Sequence, residues 1–260
     1  MPATPHRPRK RFGQHFLHDR NVIQRIIEAL EPAAGSRVIE IGPGRGALTG
    51  PLLEVLPTLE VVEIDRDLAD ILEQSFGDSG RLTVHRGNVL KFDFCAGGAT
   101  PVRVVGNLPY NISTPLLFHL LDQQDCIEVM LVMLQKEVAR RICAGPGSRD
   151  YGRLSVMIQA SCAVETLFDV GRDAFTPAPR VDSAVIRLRP HAGDGPDIGD
   201  RRQFARLVRT AFSRHRKTLR NGLKGLLDTD DFEAAGIDPE TRPETLPVEA
   251  FARLAARRRG

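Results

Sequence analysis

The 260-residue chain predicts an α/β fold: a mostly parallel sheet covered by helices on both faces, with an antiparallel edge and a small C-terminal helical domain. Three observations carry this prediction. Short β-branched runs alternate with segments of helical periodicity, the pattern that produces parallel strands joined by crossover helices. The chemically distinctive residues all fall at the C-terminal ends of those strands, where open α/β sheets bind ligands. A Gly-, Asp- and Pro-rich stretch from His191 to Asp200 then separates the alternating region from an amphipathic tail.

In chain order, a basic arm (Arg7, Arg9, Lys10, Arg11) precedes Val22, Ile23, Ile26, Ile27 and Leu30, whose spacing predicts a helix closed by Pro32-Ala33-Ala34-Gly35. Strands are predicted over Arg37 to Ile41, Leu59 to Ile64, Leu82 to Arg86, Val102 to Gly106 and Val129 to Leu134. Two more, Ser161 to Phe168 and Ser183 to Arg189, lack a long helix between them and predict an antiparallel pair at the sheet edge. The proline-rich Phe175 to Asp182 between them is expected to be extended. Beyond the linker, Phe204, Leu207, Val208, Ala211 and Phe212 form an apolar stripe on a helix expected also to carry Arg202, Arg206, Arg209 and Arg216. The domain reading is therefore 1–192 and 193–260.

A hydrophobic content of 42% and a charged content of 27% are ordinary for a soluble globular protein. No apolar run is long enough to span a bilayer, and the first residues lack a signal-peptide core. Cys95, Cys126, Cys143 and Cys162 are scattered, with no C-x-x-C pair or adjoining histidines. That argues for reduced thiols in a cytoplasmic protein and against a zinc site or a disulfide framework. Net charge is only +3, but two basic clusters stand out, the N-terminal arm and Arg201 to Lys224, while Asp228 to Glu249 is acidic. Any single run reads most simply as a solvated helix face. Two runs flanking one α/β domain favour a phosphate-bearing partner.

Two motifs carry the chemistry. In Val38-Ile39-Glu40-Ile41-Gly42-Pro43-Gly44-Arg45-Gly46 a β-branched strand ends in three glycines at alternate positions, which lets backbone approach a ligand closely. The spacing is G-x-G-x-G and not the G-x-G-x-x-G of dinucleotide binders. About 20 residues on, the next strand ends in Glu63-Ile64-Asp65, carboxylates suited to ribose hydroxyls. The second motif is Asn107-Leu108-Pro109-Tyr110, at the end of the Val102 strand. Alone it would be a proline turn with a half-buried tyrosine. Asn107 can instead accept a hydrogen bond from an exocyclic amine, a carbonyl at Leu108 or Pro109 can accept a second, and Tyr110 can stack on a base. Together the motifs imply an S-adenosylmethionine site facing an amine acceptor, on a Rossmann-like sheet of the class I methyltransferase type. Neither motif brings metal ligands, and no metal is expected.

The residues resemble the small-subunit ribosomal RNA adenine N6-dimethyltransferases over nearly the whole chain. The matching segments are Arg9 to Leu17, Glu40 to Gly44, Glu63 to Asp65, Gly106 to Ser113, Leu134 to Glu137, Phe175 to Pro177 with Val181 to Ser183, and Arg216 to Asn221. The resemblance implies that Gly42 and Gly44 lie against the cofactor, Glu63 and Ile64 bind its ribose and adenine side, and His15 and Leu17 cover it. Asn88 and Val89 would meet its adenine, and Asn107 would touch both cofactor and target amine. It further implies S-adenosylhomocysteine as product, dimethylation of two adjacent adenosines near the 3′ end of small-subunit rRNA, and a monomer acting on immature 30S particles. Arg9, Lys10, Arg11, Arg216, Lys217 and Arg220 would contact RNA phosphates. Two positions depart from the family pattern: His15 stands where the arm carries asparagine, and Asn88 where the third strand ends in an acid. An amide oxygen at Asn88 would still accept the adenine amine, without charge assistance.

The rival readings are an adenine-N6 methyltransferase acting on large-subunit rRNA or DNA, and a ribosome-assembly factor that retains the fold without turnover. A small-molecule amine methyltransferase would not need two basic clusters. Comparing methylation of small subunits, large-subunit RNA and duplex DNA separates the enzymes. The intact glycine turn and Asn107 motif argue for retained chemistry.

Overall fold

The computed structural model describes residue 9 and residues 13–32, 35–98, 100–213 and 217–257. They form two compact units, 1–139 with 165–190 and 140–164 with 191–260. A single cut after residue 192 therefore does not describe the units, because 140–164 leaves the first unit and its Tyr151, Val156 and Ala160 join the apolar core of the second. The excursion starts near Gly145-Pro146-Gly147-Ser148, a short loop signal that by composition alone does not reveal which unit the segment joins.

The first unit begins with a two-residue strand β1 (Phe16–Leu17) and helix α1 (Arg20–Leu30), capped by Asp19, whose carboxylate accepts from the amides of Asn21 and Val22. There follow β2 (Arg37–Ile41), α2 (Thr49–Val55), β3 (Leu59–Glu63), α3 (Arg66–Phe76), β4 (Leu82–Arg86), β5 (Val102–Asn107), α4 (Ser113–Leu121), β6 (Ile127–Gln135) and α5 (Lys136–Cys143). Helix α6 (Arg153–Gln159) precedes β7 (Cys162–Val170), β8 (Phe175–Thr176) and β9 (Ser183–Pro190). The seven-stranded sheet has the order β4-β3-β2-β5-β6-β9-β7. Strands β4 to β6 are mutually parallel, and β9 runs antiparallel to β6. The central strands are buried on both faces; Ile39, Val61, Val104, Val105 and Val132 are all fully enclosed. Each such side chain contributes roughly 1.5–3 kcal/mol relative to an exposed one.

Every predicted strand is present within a few residues of its expected bounds. What the sequence did not indicate is the small ribbon of β1 and β8, which pairs Phe16 with Thr176 and Leu17 with Phe175. Two-residue strands have no period to detect, and only the fold brings them together. The expectation of four reduced thiols is corrected as well, since Cys95 and Cys126 are joined in a disulfide, their Cα atoms 5.4 Å apart. The cause is tertiary. The loop after β4 is bound to the turn after α4 by Phe94 N–H to Gln123 Oε1 (2.7 Å) and Gln123 Nε2 to the Phe92 carbonyl (3.1 Å), which sets the two cysteines side by side.

The second unit contains α7 (Arg201–Ala211), α8 (Leu219–Gly222), α9 (Thr229–Ala235) and α10 (Val248–Arg257). Phe204, Leu207 and Val208 of α7 are buried with Phe251 and Leu254 of α10, and the Tyr151 hydroxyl donates to the Leu246 carbonyl at 2.7 Å. No helix among the described residues is long and apolar enough to cross a membrane.

Candidate functional site

The strand order places four strand tips in a row, and the predicted site residues follow that row. Asn88 and Val89 come after β4, Glu63 and Ile64 end β3, Gly42 and Gly44 follow β2, and Asn107 ends β5. All of these line one cleft, together with Leu108, Pro109, Tyr110 and the arm residues Gly13 to Phe16. A second cavity shares His15, Phe16, Gly42, Gly44 and Asn107 with the first and adds Leu17, Glu40 and Arg45. The glycine turn and Asn107 thus line the same cleft.

Local rules build the turn. Gly42, Gly44 and Gly46 all have positive φ, which side chains with a Cβ rarely adopt. At Gly44 (φ +59°) a Cβ would also come within 3.0 Å of the Phe16 ring, so the arm's aromatic rests directly on the turn. The amides around this turn point inward: Gly44 N–H donates to Glu63 Oε2 at 3.2 Å and Asp65 N–H to Oε1 at 2.9 Å. Both Glu63 oxygens are thereby oriented while each retains a lone pair for a ribose hydroxyl. Burial raises the Glu63 pKa, and these backbone amides oppose the shift. A nucleoside cofactor is therefore matched by a backbone cradle and an oriented carboxylate.

Glu40 is a cavity-lining acid to which the motif reading gave no role. It is 2% exposed, lines the second cavity and accepts a 2.6 Å hydrogen bond from the Thr49 hydroxyl. Desolvation raises its pKa from 4.5 to about 8, with the Thr49 bond opposing and the Glu63 charge adding to the shift. An acid with a raised folded pKa keeps a proton that the unfolded chain releases. Its stabilising contribution is complete below about pH 4.5 and is lost as pH rises through about 8. Glu40→Gln remains neutral throughout. Urea midpoints measured from pH 5 to 9 are expected to shift progressively in favour of the variant, with Glu63 common to both proteins. A constant difference across that range would exclude a protonated Glu40.

The arm is held by side chains whose role had been assigned to RNA. Arg9 donates to Asp65 Oδ1 (2.8 Å) and Asp67 Oδ2 (2.6 Å), and Gln14 Nε2 to Asp65 Oδ2 (3.1 Å). Asp65 is the N-cap of α3, so Arg9, expected to contact RNA phosphates, also anchors the arm onto that helix. Arg220 likewise pairs with Glu240 at 2.8 Å, while Lys217 is exposed. Lys10, Arg11 and Arg216 lie outside the described residues.

Asn107 sits where the arm crosses the sheet. Its Nδ2 donates to the His15 carbonyl at 3.0 Å. A carbonyl only accepts, so the amide NH₂ must face the arm, and Oδ1 is left as the acceptor. The Leu108 N–H continues the ladder to the Met133 carbonyl (2.9 Å), and the Pro109 carbonyl accepts from Ile112 N–H (3.0 Å), closing the turn into α4. Tyr110 is fixed at its hydroxyl by Ser183 Oγ (2.6 Å) and stacks on the His15 ring with centroids 5.5 Å apart. The His15 ring nitrogen Nδ1 lies 2.7 Å from the Pro177 carbonyl and therefore carries the proton. Phe16, Ser183 and Pro177 had no assigned role in the sequence, although all three lie within or beside the motifs that carried the resemblance.

At Asn88 the structure refines the expectation. Its Oδ1 already accepts the Leu90 N–H at 3.0 Å, so an adenine amine would have to share that oxygen. Asp would bring a second, charged oxygen. Asn88→Asp is expected to tighten S-adenosylhomocysteine binding up to about tenfold by calorimetry. Markedly weaker binding would exclude an adenine contact at this position.

Comparisons with known proteins agree with this geometry. A family model described as ribosomal RNA adenine dimethylase matches residues 5–258. The chain is 54% identical over 252 residues to the ribosomal RNA small subunit methyltransferase A of Pseudomonas fluorescens strain Pf0-1, covering 96% of this chain and 93% of that protein. It is 54% identical to the protein of the same description from Marinomonas sp. strain MWYL1, covering 97% and 96%. Among solved structures it resembles a dimethyladenosine transferase from Plasmodium falciparum (TM-score 0.81, 26% identity, covering 92% of this chain and 96% of that one). It also resembles the 23S rRNA methyltransferase ErmE (TM-score 0.72, 28% identity, covering 93% and 98%).

Proposed function

The chain belongs to the ribosomal RNA adenine dimethylase family, and from that premise we propose that it transfers methyl groups from S-adenosylmethionine to N6 of two adjacent adenosines near the 3′ end of small-subunit rRNA. The substrate would be the immature small subunit, met in the cytoplasm by a monomer. The observation that carries this reading is the orientation of Asn107, a residue that lines both cavities and whose amide is turned by the His15 carbonyl so that its oxygen is left as the acceptor.

The cofactor fits along the row of strand tips, with adenine at Asn88, Val89 and Ile64, ribose at Glu63, and its sulfur end past Gly42 and Gly44 beside Asn107. It supplies a methyl group on a positively charged sulfur, whose departing form is a neutral thioether that needs no acid. The protein's task lies with the acceptor. The adenine N6 lone pair is delocalised into the ring, and two hydrogen-bond acceptors that draw its N–H bonds aside direct the lone pair outward. Asn107 Oδ1 is one of them. Of the two carbonyls considered for the other, Pro109's already serves the turn to Ile112, which favours Leu108's. Catalysis then consists of positioning and of stabilising the positive charge that develops on nitrogen. A base taken from its stack would find a replacement surface in Tyr110, which Ser183 holds in place. Lys217 and the basic segments around it would supply phosphate contacts that position RNA without reading sequence.

The test is methyl incorporation by the purified protein into small subunits, large-subunit RNA and duplex DNA, each lacking the modification. Incorporation confined to small subunits, mapped to two adjacent adenosines, is the expected result. Equal labelling of large-subunit RNA or DNA would overturn the substrate assignment.

A further inference from the structure

Phe175 to Ser183 carried part of the family resemblance, yet the cofactor and acceptor contacts leave most of it without a task. The segment is fastened to the acceptor site at both ends. Near its start the Pro177 carbonyl accepts from His15 Nδ1 at 2.7 Å, and at its end Ser183 Oγ meets the Tyr110 hydroxyl at 2.6 Å. His15 and Tyr110 stack on each other and both line the cleft. Asp182 adds two more anchors, its carbonyl accepting from Lys136 N–H at 3.0 Å and its carboxylate from Arg172 N–H at 3.3 Å.

This braced segment presents an apolar side chain to solvent. Pro179 and Ser183 are buried, while Val181 is 45% exposed, one of three large hydrophobic residues so open among the described residues. Of the other two, Ile64 lines the cleft, where the proposed adenine would cover it, and Val55 ends α2. Val181 lines neither cavity, so it stands outside the pocket, two residues from the serine that fixes Tyr110. Arg180 beside it is exposed, as is Arg172, whose N–H holds Asp182. A lone open valine needs no explanation. This one sits on a loop tied at four points, between two arginines, at the edge of a site that would receive an extruded base.

An adenosine taken from its stack leaves a gap between its neighbours, and the base returns unless the gap is filled. Proteins that distort nucleic acids fill such gaps with apolar side chains inserted between base steps. Valine suits the task because its β-branch restricts χ1, so little rotamer freedom is lost on insertion. Resting on the proposed function above, we propose that Val181 is a positioning residue that fills the gap left in the RNA stack when the target adenosine enters the cleft. Arg172 and Arg180 would hold the neighbouring phosphates without reading sequence. One short segment then serves base extrusion twice, since Ser183 fixes the ring that receives the base and Val181 takes its former place.

Single-turnover methyl transfer to small subunits lacking the modification is measured at saturating cofactor and saturating small subunits, for wild type, Val181→Ala and Val181→Leu. Affinity for S-adenosylhomocysteine is measured in parallel by calorimetry. Val181→Ala is expected to lose about tenfold or more in rate, with S-adenosylhomocysteine affinity unchanged. Val181→Leu should restore the wild-type rate, because another apolar side chain fills the gap. The proposal is overturned if Val181→Ala transfers at the wild-type rate, or if Val181→Leu is as slow as Val181→Ala. It is equally overturned if Val181→Ala loses S-adenosylhomocysteine affinity, which would mean a distorted cleft. Weaker binding of small subunits with an intact rate at saturation would make Val181 an RNA contact only and sink the gap-filling role. If wild type binds S-adenosylhomocysteine but labels no small subunits, the proposed substrate itself fails and this inference falls with it.

Discussion

Replacing Asn107 by alanine is expected to lower single-turnover methyl transfer by about two to three orders of magnitude at saturating cofactor, while RNA binding stays close to wild type. The expectation follows from what the side chain does on each side. Its NH₂ group holds the arm through the His15 carbonyl at 3.0 Å, which leaves its oxygen as the acceptor on a residue that lines both cavities. Alanine removes one of two acceptors aligned with charge that develops only in the transition state, a loss of the size seen when single preorganised hydrogen-bonding groups are deleted. Arm seating is lost too, so cofactor affinity is measured separately with S-adenosylhomocysteine, and the rate is compared at saturation. A variant that methylates at the wild-type rate would remove Asn107 from the mechanism, and one that fails only through cofactor affinity would recast it as a binding residue.

The second large effect is structural and sits one residue earlier. Gly106 pairs with Ile41 in the parallel register between β5 and β2. A Cβ at Gly106 would lie 2.5 Å from the Ile41 carbonyl oxygen and 3.2 Å from its nitrogen, both backbone atoms of a central strand. Neither can turn aside as a flexible side chain would, so alanine must push β5 away from β2. Gly106→Ala is expected to destabilise the protein by about 3–5 kcal/mol, at the upper end of single substitutions. Any folded fraction should also bind S-adenosylhomocysteine poorly, because Gly42 and Asn107 are the residues that immediately follow the displaced pair. Denaturant midpoints within about 0.5 kcal/mol of wild type would show that the strand spacing is not set at this glycine.

How much could be read from the chain alone differs between fold and site. Strands such as Arg37–Ile41, buried through most of its length, and Leu82–Arg86, a half-exposed edge strand, were legible to the residue, because each is a short run with β-branched residues that ends abruptly at glycine. The residues that line the cleft were legible because their chemistry is local: alternate glycines, an acid at a strand tip, an amide at a strand end. The pairing of Arg9 with the buried Asp65 at the start of α3 was not legible, since a basic arm looks alike in sequence whatever anion it meets. Glu40 was quoted as part of a motif without a role, because the burial that raises its pKa comes from strands and helices far apart in sequence. The Cys95–Cys126 bridge had no spacing to announce it.

The sequence by itself determined the alternation of strands and helices, the glycine turn, and the residue types offered to a nucleoside and an amine, since these depend on neighbours along the chain. Only the tertiary structure decided which way the Asn107 amide points, that His15 stacks on Tyr110, and that residues 140–164 belong with the C-terminal unit. The physical reason is that hydrogen-bond direction and burial are set by partners brought together in space. His15 and Asn107 are 92 positions apart, and no periodicity within one segment encodes where a distant carbonyl will lie.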